Sequence, residues 1–198
     1  MAEVKITIDQ IKKLKELSGA GLTDAKQALV EAKGDFDKAL EAMRKKGLTK
    51  AEKRGDRETR EGVIDSYVHD GRIGAILELN CETSFVAKTD EFKDLAHKLA
   101  MQIASMSPLY VSEADIPADV MSAKKAELEE SFKGPADKKD MILEGQVKKA
   151  FADKILLAQP YILDDQKTVE QFIKEAIAKT GENITVRQFK RIELGVSE

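Results

Sequence analysis

Cysteine occurs once in this 198-residue chain, as Cys81, and a single thiol excludes an intramolecular disulfide framework. Long apolar runs are missing too: stretches such as Ile155-Leu156-Leu157-Ala158 fall far below the roughly 20 residues that a helix needs to cross a bilayer. No apolar N-terminal run precedes a small-residue cleavage site, so the chain reads as cytoplasmic, in a reducing setting, with no membrane attachment. Nor is there strong charge of one sign. Charged residues make up 35% of the chain, but 33 Lys and Arg stand against 36 Asp and Glu, a balance of −3 that solvates the surface without a strong overall field.

The signatures of several chemistries are also absent. A glycine loop ending in Gly-Lys-Ser or Gly-Lys-Thr, whose backbone amides would cradle phosphates, does not occur; Gly19-Ala20-Gly21 is too short and lies between helices. His69, His97 and Cys81 form no paired ligand motif, so no metal and no cofactor is expected. Cys81 continues the apolar face of a strand, which reads as a small buried thiol rather than a nucleophile activated by His69 or His97. The carboxylates Glu78, Glu82, Asp90 and Glu91 have ordinary roles on a strand face and in a first helical turn. What remains is a partner-binding protein rather than an enzyme.

Charge is unevenly placed. Residues 44–60 hold eight basic side chains (Arg44, Lys45, Lys46, Lys50, Lys53, Arg54, Arg57, Arg60) against three acidic ones. An RNA-binding arm looks like this, and a ribonucleoprotein component is the alternative reading. No aromatic residue is interleaved to stack on bases, which favours a solvated helix tail and linker instead.

The periodicity predicts an α+β fold. Residues 1–47 read as three short helices parted by glycines: one from near Asp9 with Ile8, Ile11, Leu14 and Leu17 on a stripe, one capped by Thr23, and one after Gly34-Asp35. Each is too short to stand alone, so they pack as a compact module. A basic linker over about 48–62 follows, and then a core over 63–198. There, Val63–Val68 pairs with Ile73–Cys81 through His69-Asp70-Gly71-Arg72 as a hairpin. Thr89 caps a helix bearing Phe92, Leu95, Ala96, Leu99 and Ile103, which Pro108 stops. Residues 118–158 read as a projecting hairpin of two helices broken at Gly134-Pro135, and a helix from Val169 to Lys179 leads into a last strand. The hairpin-bearing core module occurs once.

Between the second strand and the capped helix lies Thr83-Ser84-Phe85-Val86-Ala87, with two bulky apolar residues at a corner. From pattern alone Phe85 reads as folding back onto its own core; the other reading is an aromatic wedge held on a stiff junction for a partner's pocket.

Four segments then carry a resemblance: Ser18-Gly19-Ala20-Gly21-Leu22-Thr23-Asp24-Ala25-Lys26-Gln27-Ala28-Leu29, Leu77-Glu78-Leu79-Asn80-Cys81-Glu82-Thr83-Ser84-Phe85-Val86-Ala87, Glu144-Gly145-Gln146-Val147-Lys148-Lys149 and Gly181-Glu182-Asn183-Ile184. In this order they resemble the elongation factor Ts family, guanine-nucleotide exchange partners of elongation factor Tu. The resemblance implies a ubiquitin-associated-like N-terminal module and a short, single-core form that acts as a homodimer. It implies contact with the GTPase through Thr83, Ser84, Phe85 and Val86, which dislodge its Mg²⁺, and docking through Lys15, Leu22 and Thr23. It implies neither direct nucleotide binding nor a nucleic-acid partner. The family's core motif reads Thr-Asp-Phe-Val, so Ser84 stands where an acid is expected, and Leu22-Thr23 stands where two methionines are usual.

Overall fold

The computed structural model describes residues 6–196 except Gly19 and 133–138, with the backbone only at 48–50 and 52. The fold is α+β, three N-terminal helices followed by a small antiparallel sheet with flanking helices. By internal contacts the chain falls into two compact units, one of Met1–Val63, Leu79–Leu95 and Gln171–Thr185, the other of Ile64–Glu78, Ala96–Glu170 and Val186–Glu198.

The three helices are α1 (Ile8–Ser18), α2 (Leu22–Glu31) and α3 (Phe36–Glu52). They close around Leu14, Ala25, Ala28, Leu29, Ala39 and Met43, where the alanines admit close approach. The expected stripe on α1 is not a stripe: Leu14 is buried and Ile11 half-buried, while Ile8 and Leu17 are exposed. A step of three residues falls about 60° short of a full turn, so three steps put Ile8 and Leu17 on opposite sides of the helix. Thr23 is not the N-cap of α2. That position belongs to Gly21, whose carbonyl accepts the Ala25 N–H at 3.0 Å, so the helix begins before Thr23 is reached. Lys33 and Gly34 take positive φ and end α2, with the Gly34 N–H on the Leu29 carbonyl at 2.8 Å. Asp35 then accepts the Lys38 N–H, and its carboxyl is held below its usual value by hydrogen bonds from Lys38. Helix α3 runs on to Glu52, into the stretch read as linker.

Strands β1 (Glu61–His69) and β2 (Ile73–Cys81) form the expected hairpin, and β5 (Ile184–Glu193) adds to the far side of β2. Asp70 and Gly71 both take positive φ and the Arg72 N–H reaches the His69 carbonyl at 2.9 Å, the type I′ geometry that matches strand twist. Ala75, Leu77, Leu79 and Cys81 are buried, whereas Ile64, Val68 and Ile76 face outward. A four-residue turn of helix, α4 (Ser84–Ala87), leads into α5 (Asp90–Met106). Thr89 caps α5 through the Phe92 N–H at 3.2 Å, and all five of its predicted core positions are buried. In the second unit, His97 meets Asp65 at 3.2 Å and Arg191 donates to the Ala104 carbonyl at 3.1 Å, tying both outer strands to α5.

Helices α6 (Ala118–Glu130) and α7 (Lys139–Phe151) pack against each other. Val147, Phe151 and Ile155 form the buried side of the seam and Met121 and Leu128 its half-buried side, and Leu143 is buried as well. Gly134-Pro135 lies outside the described residues. A small hairpin not foreseen from the sequence, β3 (Pro160–Tyr161) with β4 (Asp164–Thr168), precedes α8 (Val169–Thr180). The fully buried side chains of Gln102 and Gln159 fasten it: Gln102 donates to Gln159 Oε1 and to the Pro160 carbonyl and accepts from the Ile162 N–H.

Candidate functional site

The strand-to-helix junction after β2 is assembled from local caps. Cys81 ends the strand fully buried and its Sγ donates to the Thr83 carbonyl at 3.2 Å. Thr83 is extended (φ −128°, ψ 150°) and is the N-cap of α4, its hydroxyl accepting the Val86 N–H at 3.4 Å. At the other end Thr89 donates its hydroxyl to the Val86 carbonyl at 2.8 Å before capping α5. Val86 and Ala87 turn inward and are buried, which leaves Ser84 and Phe85 on the outside. Phe85 is 80% exposed, so the reading of it as a core residue is overturned. Val86 and Ala87 take the inward side of this four-residue turn instead.

A second loop holds this corner. Gly181 ends α8 with φ +79° and brings Glu182 and Asn183 against it. Glu182 accepts the backbone N–H groups of Glu82 (3.1 Å) and Thr83 (3.0 Å) through Oε2, and the Thr83 hydroxyl (2.6 Å) through Oε1. In return Glu82 Oε1 accepts the Asn183 N–H at 2.6 Å, and the Arg57 guanidinium approaches at 3.4 Å. Asn183 Nδ2 donates to the Gly55 and Arg57 carbonyls at 3.2 and 2.8 Å. The sequence reading took Gly181-Glu182-Asn183 only as a landmark and missed its place at the site. Two invested side chains next to a glycine were the available signal, but nothing local says which backbone they reach.

Lys15, Leu22 and Thr23 are all exposed, Lys15 in the last turn of α1 and the other two at the start of α2. They fall in the same compact unit as the junction. Leu22 is an exposed large apolar side chain, as are Ile8, Leu17 and Val30 of the same module.

The rival chemistries find little support. Burial pushes the Cys81 thiol above its ordinary value, with Glu182 adding to the effect, which opposes thiolate formation. His69 and His97 are engaged by Tyr67 and Asp65. Among the described residues no group of three or more His, Cys, Asp or Glu could hold a metal ion, and no helix is long and apolar enough to cross a membrane. Four of the eight basic side chains of the run meet a carboxylate: Lys45 pairs with Glu41 at 2.7 Å, Lys46 with Asp24 at 3.0 Å, Arg60 with Glu58 at 2.8 Å and Arg57 with Glu82 at 3.4 Å, while Arg54 donates to the Ile177 carbonyl.

Residues 5–196 match the family model described as Elongation factor TS. The chain is 52% identical over 194 residues to elongation factor Ts of Thermotoga sp. (strain RQ2), covering 97% of this chain and 98% of that one. It is 49% identical over 196 residues to elongation factor Ts of Fervidobacterium nodosum, covering 97% and 100%. To elongation factor Ts of Thermodesulfovibrio yellowstonii it is 44% identical over 195 residues, covering 98% of each. These matches place the chain among the elongation factors of protein biosynthesis. It belongs to the elongation factor Ts family.

Proposed function

We propose that this chain is a guanine-nucleotide exchange factor for elongation factor Tu that speeds GDP release without forming a covalent bond. The three-helix module docks on the GTPase through Lys15, Leu22 and Thr23. Phe85, flanked by Thr83 and Ser84 and anchored by the buried Val86, pushes between helices of the partner and disturbs its Mg²⁺ and phosphate site. The chain itself holds no nucleotide or cofactor, and it works in the cytoplasm. The observation that carries this reading is Phe85, 80% exposed on a turn whose two ends are capped and whose last two residues, Val86 and Ala87, are buried. A rigidly mounted, exposed aromatic has little of its own fold to serve and loses little conformational freedom on entering a pocket.

The energetics are within reach of such a device. An exchange factor binds the nucleotide-free state better than the nucleotide-bound one, and by linkage nucleotide expels the factor in turn. A thousandfold faster release needs about 4 kcal/mol of barrier lowering. Burying one phenylalanine supplies about 1.5–3 kcal/mol, and loss of the partner's metal contacts accounts for the remainder.

Stopped-flow release of fluorescent GDP from elongation factor Tu tests the reading. Phe85→Ala is expected to slow release at least tenfold, while Ser84→Asp changes it modestly or improves it. An undiminished rate with Phe85→Ala overturns the wedge. The alternative, an RNA-binding component, loses ground because half of the basic run, Lys45, Lys46, Arg57 and Arg60, meets carboxylates within the chain; it would require salt-sensitive retention on RNA with no effect on the GTPase.

The homodimer belongs to the same proposal. On the second unit the outward sheet face carries Ile64 and Val68 on β1, Ile76 on β2 and Ile192 on β5, with Ile64 and Ile192 72% and 71% exposed. An exposed apolar sheet face of this kind is what a second copy would cover.

A further inference from the structure

We infer that Glu182 is a positioning residue for exchange: its carboxylate sets the direction of Phe85 by clamping the backbone two residues before it, without touching the partner. The inference rests on the proposed role of Phe85. Where β2 ends, the N–H groups of the half-buried Glu82 and the exposed Thr83 no longer take a strand partner, and Glu182 supplies the acceptor that the ladder no longer does. One carboxylate satisfies both and takes the Thr83 hydroxyl as well, at 3.1, 3.0 and 2.6 Å. Bonds to an ionised acceptor are shorter and stronger than neutral ones, and three converging on one group leave it a single orientation.

The chain of constraint continues to the aromatic. Thr83 is fixed by Glu182 and its hydroxyl caps α4 on the Val86 N–H, so the helical turn that carries Phe85 is oriented by the same group. Glu182 is in turn held in place by what surrounds it. Gly181 supplies the positive φ that releases the chain from α8, and Glu82 accepts the Asn183 N–H at 2.6 Å, so the two loops grip each other reciprocally. Asn183 extends the grip to the Gly55 and Arg57 carbonyls. A wedge must be aimed to within about 0.5 Å and 10–20° to be productive. With Val86 and Ala87 as its only buried anchors, a four-residue turn needs such an outside reference.

A double-mutant cycle on GDP release from elongation factor Tu, at saturating factor, tests this. Glu182→Ala is expected to slow release about tenfold in the parent chain and less than about twofold when Phe85→Ala is already present. Circular dichroism and thermal melting check that each variant is folded. If Glu182→Ala does not fold, Thr83→Val takes its place in the cycle, removing only the hydroxyl bonds, and Thr83→Ser is expected to restore the rate. Equal slowing in both backgrounds means that the clamp acts through general stability and overturns the inference, as does a folded Glu182→Ala chain with the parent rate. An undiminished rate for Phe85→Ala alone overturns the wedge reading and the inference with it, and that arm is read separately.

Discussion

At position 81 the chain buries its one thiol at a strand end, where its Sγ reaches the Thr83 carbonyl two residues on. Burial raises the folded-state pKa, so the neutral form is favoured by folding. The stability this confers is fully present below the unfolded thiol value of about 8.5 and is lost as pH rises through the higher folded value. Urea midpoints are therefore expected to fall between pH 8 and 10, and to fall less in Cys81→Ala. Labelling by a thiol reagent at neutral pH should be slow in the native chain and complete in urea; rapid native labelling would contradict the placement. Cys81 was legible in the sequence because it continues an alternating apolar face. Phe85 was not, because hydropathy cannot tell which bulky residue of a corner turns inward once Val86 and Ala87 compete for the same space. Glu182 was less legible still: its partners at 82 and 83 are about a hundred positions away, as the 99- and 100-residue separations of its hydrogen bonds record.

Elements were the most readable level where a cap or a turn writes itself into a few adjacent residues. Thr89 before α5 and Asp70-Gly71 between β1 and β2 behave as their chemistry dictates. The N-cap of α2 went to Gly21 instead of Thr23 because extended backbone and a free carbonyl define a cap position, and the side chain only improves it. The β3–β4 hairpin went unforeseen since Asp164, Asp165 and Gln166 lack strand-forming side chains; the buried Gln102–Gln159 pair supplies what local propensity does not. One glycine is demanded by tertiary contact. A Cβ on Gly62 in β1 would run into the Leu79 carbonyl oxygen and lie 2.9 Å from the Asn80 Cα, both backbone atoms that cannot swing aside. Gly62→Ala is expected to destabilise the fold by about 1–3 kcal/mol, read as a drop of several degrees in Tm. An unchanged Tm would show that the two strands can part at no cost.

For the whole molecule, the question is what covers the outward sheet face. Ile64, Val68, Ile76 and Ile192 are expected to be buried between two copies, so Ile64→Asp should convert dimer to monomer in sedimentation equilibrium with its helical signal intact. A parent chain that is monomeric at micromolar concentration would remove the dimer from the proposal. The alternation on β1 and β2 already separated inward from outward residues, but it could not say that the outward set would be apolar on neighbouring strands at once, since strand order is a tertiary fact. By itself the sequence determined the three-helix module, the hairpin, the capped helix and the absence of catalytic and metal motifs, because each depends on residues within a turn or two of one another. Only the tertiary structure decided that Phe85 faces solvent and that Glu182 and Asn183 hold its corner, because burial and hydrogen bonding there are settled between segments about a hundred residues apart.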